Sequence, residues 1–407
     1  MKAAVPALLI LLAAGGTVFA EGPVLSGNIE TTVFAASGAG TSPDFFYGAE
    51  EYANLRLKVP AGECAAVYGA FNLIAAAGGP AAAALGTGSA AAPGAGNAAG
   101  SGFSSFTAGE NFAAAIELER LYLQLSGDTL GLSTGLLRIP LGYSLAWGPI
   151  DFLNPRNPLI TNARLRAVLG LLGSWYPLED MKFFGFAAAP EDPLAADGGG
   201  SRFGLGWENH WPAASLQLLA SYESPAAYTA SLPVPASVDY PFGLYRFGFS
   251  LKAELEIGFA AEALYTLNRD SPAFSQGLSA AAGFDYSFFD GKLYVLVEYL
   301  YSGTESVSAA GPANLQGRQN NHYLYGAFTW LWNDYTSITL GSGVCLDDPS
   351  AIPSLKWEHE IFQGTTLSLE ARVPLDGESF GNGNAGEFGP EASGSLFSFT
   401  GGLRVKF

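Results

Sequence analysis

Apolar and polar residues alternate in short runs from one end of the chain to the other. NLRLKV (54–59) sets Leu55, Leu57 and Val59 against Arg56 and Lys58, and ELERLYLQL (117–125) sets Leu121, Leu123 and Leu125 against Arg120, Tyr122 and Gln124. A period of two is that of a half-buried β-strand. Such runs occur at 28–35, 54–59, 64–74, 117–125, 130–139, 164–176, 182–188, 202–208, 215–222, 244–252, 257–266, 278–288, 292–301, 322–330, 337–345, 353–361, 366–373 and 397–407. They predict an all-β chain of about 18 strands (16–18). The pattern is muddied at LGLSTGLLRI (130–139), which suggests a bulge there.

The connectors alternate too. Every second one is tight: PAGE (60–63), SGDT (126–129), PLED (177–180), a segment around NHWPAA, AELE (253–256), Asp290-Gly291, a turn around WNDY, and FQGT (362–365). Most of the others are long: 36–53, 75–116, 140–163, 189–201, 223–243, 302–321 and 374–395, with DDPSA after Cys345 the short exception. A transmembrane up-and-down antiparallel β-barrel has short turns at its periplasmic rim and long loops outside. A soluble sandwich has no reason to sort connector length by parity.

Composition points the same way. Mean hydropathy is +0.21 with 14% charged and 13% aromatic residues. Yet no uncharged segment reads as a spanning helix; the longest, Cys64 to Gly109, is rich in Ala, Gly, Ser and Pro. Alternating strands with one face in lipid spread apolar residues thinly. MKAAVPALLILLAAGGTVFA (1–20) has the Lys2, apolar core and small residues of a secretory signal cleaved after Ala20, leaving 21–407 as the barrel domain. Loss of Lys2 takes the net charge from −18 to −19, which excludes nucleic acid as a partner. Cys64 and Cys345 are too few for a disulfide scaffold and read as small strand residues; pairing in an oxidising compartment stays open. Aromatic residues such as Trp175, Tyr176, Trp330, Trp332 and Trp357 gather near strand ends, where interfacial girdles place them.

A closed barrel must pair its last strand with its first, because lipid cannot satisfy an open edge. FSFTGGLRVKF (397–407) alternates to the end and so resembles the last strand of outer-membrane β-barrel proteins generally. That resemblance implies an outer-membrane location and a signal for the barrel-assembly machinery, carried by Phe407 with Val405, Leu403, Phe399 and Phe397 at alternate positions; Gly401 departs from it. The stretch from ERLYLQL (119–125) through LAWGPIDFLNPRNP (145–158) is similar to one in several porin-like families, including alginate-export-like channels. The similarity covers about a tenth of the chain and implies a channel, with Leu137, Arg138 and Pro140 departing from the simpler alternation expected there.

Charge within the strands should mark the lumen. Early strands supply Arg56, Lys58, Arg120 (with Tyr122), Arg138, Arg164 and Arg166; later ones supply Glu262, Asp285, Glu298, Glu358, Glu360 and Glu370. Two readings stay open: basic and acidic walls set a transverse field across a pore, or these charges pair and fill the lumen. In the long connector 140–163, Trp147, Asp151, Asn154 and Arg156 sit among prolines and Asx residues that favour a compact loop. Folded inward, it would shape a constriction with polar groups toward solute; capping the rim is the alternative. The segment 74–102 has the composition of an unstructured loop, with an Ala-rich plug the second reading.

No enzyme signature emerges. His210, His322 and His359 are scattered, with His210 expected in a periplasmic turn and His359 on the outward face, and no metal-ligand spacing or cofactor motif is present; for DDPS (347–350) a weak calcium site and, more commonly for such a stretch, a solvated acidic loop are the two readings. The expectation is an outer-membrane porin for passive diffusion of small polar or charged solutes, with outer-membrane lipid and the assembly machinery as partners, as a homotrimer or a monomer. A surface-exposed barrel with a plugged lumen, serving as adhesin or structural protein, is the alternative.

Overall fold

The computed structural model describes residues 22–38, 45–78, 104–108, 111–155, 158–159, 167–190, 200–225, 243–267, 277–303, 321–348, 350–376, 386–390 and 395–407. The strands are β1 (Val24–Gly38), β2 (Phe45–Pro60), β3 (Ala65–Ala77), β4 (Ser104–Ala108), β5 (Phe112–Ser126), β6 (Leu130–Leu137), β7 (Val168–Leu178), β8 (Met181–Ala188), β9 (Arg202–Trp211) and β10 (Ala214–Glu223). They continue as β11 (Leu244–Glu254), β12 (Gly258–Leu267), β13 (Leu278–Phe288), β14 (Leu293–Ser302), β15 (His322–Asn333), β16 (Thr336–Cys345), β17 (Ser350–Phe362), β18 (Thr365–Arg372) and β19 (Ser395–Lys406).

Every pairing is antiparallel and between chain neighbours, except that β3 also pairs β5 and β1 pairs β19. The short β4 lies along the upper part of β5 while β6 takes the lower part of the same edge. The ring is therefore a closed barrel of 18 strands, with β4 an addition to its rim. Closure pairs each of the 18 described spanning strands on both sides, which is what lipid demands of a spanning sheet. At the seam Asn28 pairs Lys406, and Gly27 and Phe407 exchange backbone hydrogen bonds of 2.9 and 3.1 Å. Inside the seam, Arg404 Nε lies 2.9 Å from Glu30 Oε2.

The alternation of the sequence becomes the two faces of the wall. Outward positions such as Leu25, Ile29, Val33, Phe247, Phe249, Leu340, Phe399, Leu403 and Val405 are exposed, as a lipid-facing surface requires. Six tryptophans, Trp175, Trp207, Trp211, Trp330, Trp332 and Trp357, lie in the half of the barrel nearer the chain termini; the seventh, Trp147, is inside. An indole ring suits the boundary between apolar and wet layers.

Parity of connector length holds, with local corrections. β1 and β2 run on to Gly38 and from Phe45, so the expected long connector 36–53 shrinks to 39–44. β7 starts at Val168 rather than at 164. His210 lies within β9, not in a turn, where its Nδ1 meets Ser215 Oγ at 2.9 Å. His359 is on the outward face, stacked on Trp357. Cys64 and Cys345 are both free.

A bulge sits not at 130–139 but on β5. Ala70 pairs Arg120 while Phe71 pairs Leu118, so Glu119 is the extra residue. The bulge turns Glu119 and Arg120 to the same side. It reconciles Glu117 and Glu119 before it with Arg120 and Tyr122 after it, so that all four point inward.

Candidate functional site

The segment after β6 does not cap the rim. It enters the barrel and lies against the inner wall from β8 to β16. Ile139, Leu141, Ile150 and Leu153 pack with Phe184, Phe186, Leu219 and Leu264, all buried. Farther along, Ala146 and Trp147 pack with Leu296, Leu300, Tyr323, Ala327 and Phe388. Apart from Phe388, these wall residues occupy inward strand positions that would otherwise face water, so the segment removes apolar area from the lumen.

Polar anchors fix its height. Two inward carboxylates, Glu262 on β12 and Glu298 on β14, are 3% and 1% exposed. Glu298 accepts Leu145 N at 2.8 Å, Ala146 N at 3.2 Å, Trp147 N at 2.7 Å and Ser144 Oγ at 2.8 Å. Glu262 accepts Ser144 N at 2.6 Å, Ser250 Oγ at 3.0 Å, and the amide N–H groups of Tyr143 and Ile150. A run of backbone amides thus serves as counter-charge, with no ion pair to either carboxylate among the described residues. Gln217 on β10 accepts Gly142 N at 2.7 Å.

The local conformation follows from residue type. Gly142 has φ +79°, and a Cβ there would lie 2.1 Å from Ile150 Cγ2 and 2.2 Å from Glu262 Oε1. Asn154 donates from Nδ2 to Ile139 O at 2.8 Å, and its amide reaches Asp151 Oδ1 at 3.1 Å, closing the turn on itself. On β11, Gly248 leaves room for Ile150, whose Cδ1 would stand 2.5 Å from a Cβ at that position. Leu159 continues the path, its carbonyl accepting from Arg372 on β18. A second inward piece, 386–390, is tied by Glu387 N to Asp348 Oδ2 at 2.9 Å, Phe388 N to Ser350 Oγ at 3.1 Å, and Tyr323 OH to Glu387 Oε2 at 2.8 Å. Cys345 joins Asp348 and Glu387 in that buried cluster.

The other side of the lumen is polar. Around the bulge, Glu119 Oε1 meets Arg138 at 2.9 Å and Arg120 at 3.2 Å, and its Oε2 accepts Asn54 Nδ2 at 2.6 Å. Arg56 Nε donates to Asn54 Oδ1 at 2.6 Å, and Asn72 bridges Asn54, Tyr52 and Glu117. Tyr68 and Tyr122 stack at 4.9 Å, with Lys58 over the Tyr68 ring. A cavity of about 650 Å³ opens here, lined by Glu30, Arg56, Glu119, Arg138, Arg404 and Lys406 among others. Across the seam, β17 and β18 present Lys356, Glu358, Glu360, Glu370 and Arg372 inward, with Glu358–Lys356 and Glu370–Arg372 ion pairs of 3.0 and 2.5 Å.

The residues read as pore-lining therefore divide. Arg56, Lys58, Arg120, Tyr122 and Arg138 share one inward wall. Glu262 and Glu298 point inward but are covered by the segment they hold. Trp147, Asp151 and Asn154, each 3% exposed, turn into that segment's own packing rather than toward solute. Arg156, Arg164 and Arg166 lie outside the described residues, as does most of 74–102. The sequence reading missed Asn54, Asn72, Glu117, Glu119, Ser144, Gln217, Ser250 and Glu387; Asp348, read in a stretch expected to be solvated or to bind calcium weakly, is instead buried against Glu387. One signal for some of them was present: strands 182–188, 215–222 and 292–301 carry apolar residues on both faces, which a water-filled lumen would not favour.

No family model and no curated protein matches the chain. Solved structures do. The crystal structure of Pseudomonas aeruginosa OccK9 (OpdG) is similar over 95% of this chain and 100% of its own, with TM-score 0.52 and 11% identity. Acinetobacter baumannii OccAB4 covers 95% and 98%, with TM-score 0.53 and 7% identity. Pseudomonas aeruginosa OccD3 (OpdP) covers 97% and 93%, with TM-score 0.50 and 11% identity. The chain thus has the barrel fold of these Occ structures, a likeness of architecture at very low sequence identity.

Proposed function

We propose that the protein is an outer-membrane porin through which small polar and charged solutes diffuse passively. The observation that carries this reading is the charged cavity on the β1–β6 and β19 side, left open where the inward segment 138–155 covers the opposite wall. The segment acts as a constriction by bulk. Selectivity comes from the wall of Arg56, Lys58, Arg120 and Arg138; across the seam Glu358 and Glu370 are paired with Lys356 and Arg372, so Glu360 supplies the remaining negative charge there, and the uneven balance orients a dipolar solute. The neighbours of this fold are Occ/Opd outer-membrane porins, which supports the same reading.

Residues 1–20 serve as an export signal removed after Ala20, and the strand ending in Phe407 serves as the assembly signal with Phe399, Leu403 and Val405. The N-terminal residue of protein purified from membranes tests the first point; Glu21 is expected.

Planar-bilayer recording of the folded mature protein tests the function. Discrete conductance steps with a non-zero reversal potential under a salt gradient are expected. Silence from folded protein would overturn the reading in favour of a plugged barrel, which the two inward segments, 138–155 and 386–390, would then explain.

A further inference from the structure

On the outer wall one register row runs Ala65–Leu125–Leu132–Gly173–Gly185–Leu205, from β3 to β9. Two facing glycines, Gly173 and Gly185, leave the wall without side chains at that point. Leu132 and Leu205 stand exposed on either side, and the exposed Trp175 and Phe183 rings stack at 5.6 Å along one edge. The result is a cleft of about 800 Å³ whose end reaches Ala61, Cys64 and Gly127 in the turns. Leu205 leans over it, with Cδ2 3.0 Å from where a Cβ on Gly185 would stand, whereas at Gly173 the nearest atom is 3.9 Å away. Five interstrand spacings of about 4.8 Å make the row about 24 Å long, and strand tilt slopes it through the membrane.

Lipid covers the outward face of a membrane barrel, and a sloping apolar cleft of this length takes an acyl chain. The turns at its end sort head groups by charge. PAGE (60–63), SGDT (126–129) and PLED (177–180) place Glu63, Asp128, Glu179 and Asp180 at this rim and hold no Lys or Arg. Glu63 and Asp128 are exposed, and they adjoin Cys64 and Gly127 of the cleft. Their two turns are neighbours, joined by Ser126 N donating to Cys64 O at 2.8 Å. A phospholipid of net negative charge is repelled there, while a zwitterionic one brings an ammonium to the carboxylates. The Trp175 ring marks the interfacial level, which sets a head group beside the turns when its chain lies in the cleft.

We propose that this cleft binds one molecule of phosphatidylethanolamine, with an acyl chain over Gly173 and Gly185 and the ammonium beside Glu63 and Asp128. The inference rests on the outward face lying in lipid, as in the proposed function, and is independent of whether the pore conducts.

Native mass spectrometry of the full mature chain tests it, with dioleoyl phosphatidylethanolamine or dioleoyl phosphatidylglycerol added and bilayer conductance recorded on the same preparations. The natural protein should retain one phosphatidylethanolamine, at about a tenth of the phosphatidylglycerol concentration that gives equal occupancy. Gly173→Leu fills the cleft from a position with room for a side chain. It should weaken retention about tenfold or more and conduct as the natural protein does. Ala263→Leu, outward on β12 beside Phe249, should leave retention unchanged. The double replacement Glu63→Gln/Asp128→Asn should bind the two lipids alike. Failure of the natural protein to retain lipid, or equal binding of the two lipids by it, would overturn the proposal. So would undiminished retention by Gly173→Leu, or a head-group preference that survives the double replacement. Folded protein that retains the lipid but passes no current would count against the porin reading alone.

Discussion

The Glu298 carboxylate on β14 accepts the backbone amide of Trp147 at 2.7 Å, although 151 residues separate them in the chain. That contact, with those to Ser144, Leu145 and Ala146, holds the inward segment against the wall. Replacing Glu298 by Ala strands several donors at once, each worth about 1–3 kcal/mol when left buried and unpaired. The barrel should still refold, since its strand ladder is untouched. Single-channel conductance should rise, with added open-channel noise, and Glu298→Gln should lie between Glu298→Ala and the natural protein. Unchanged conductance in Glu298→Ala would show that the segment does not set the constriction.

Gly142→Ala should act on the same segment from its other side. The added methyl meets Ile150 and Glu262 at distances no packing tolerates, and φ +79° is unfavourable for any residue with a Cβ. A cost of about 1–3 kcal/mol is expected from strain and lost contacts. Thermal unfolding of the refolded barrel measures the cost, and protease sensitivity of 138–155 reports its displacement. A variant that melts with the natural protein and resists protease would contradict this account.

The cationic wall sets a sign. Double replacement Arg56→Ala/Arg138→Ala removes two positive charges beside the 650 Å³ cavity and leaves Glu119 with Arg120 as its remaining cation. The reversal potential should shift toward cation preference. The shift should be largest in dilute salt and nearly vanish at 1 M, where the screening length falls to about 3 Å. A shift of equal size at both salt concentrations would argue against an electrostatic origin.

Closure and delivery should separate experimentally. Arg404→Ala breaks a partly exposed pair with Glu30 and should cost no more than about 1 kcal/mol in refolded barrels, because solvent already screens it. Phe407→Ala leaves that pair intact and should refold in detergent as well as the natural protein. It should nonetheless lower the amount assembled in cells if the terminal aromatic is the assembly signal. Equal amounts of Phe407→Ala and natural protein in membranes would count against that role.

The barrel was legible because lipid and water impose their requirement residue by residue. Each strand needs one apolar and one polar face, so Leu55/Arg56 or Leu403/Arg404 announces its environment without reference to anything distant. Connector length carried the topology for the same reason: turns are local. Even the inward direction of Arg56, Lys58 and Arg120 followed from period two, whereas Arg138 lies past the end of β6, whose even positions face outward, and turns inward to Glu119 only because the chain leaves the strand there.

What lies against the inner wall was a different matter. The alternation tells which side Glu298 points to, but not that backbone amides of residues 144–147 arrive there. Asp151 and Asn154 look alike in sequence whether they face solute or close a buried turn. The bulge that turns Glu119 inward beside Arg120 depends on pairing with Ala70 and Phe71 of another strand. Such contacts join positions distant in the chain, from Ala70 and Arg120 at the bulge to Trp147 and Glu298, and their energies exist only once the ring has closed and fixed the distance across it.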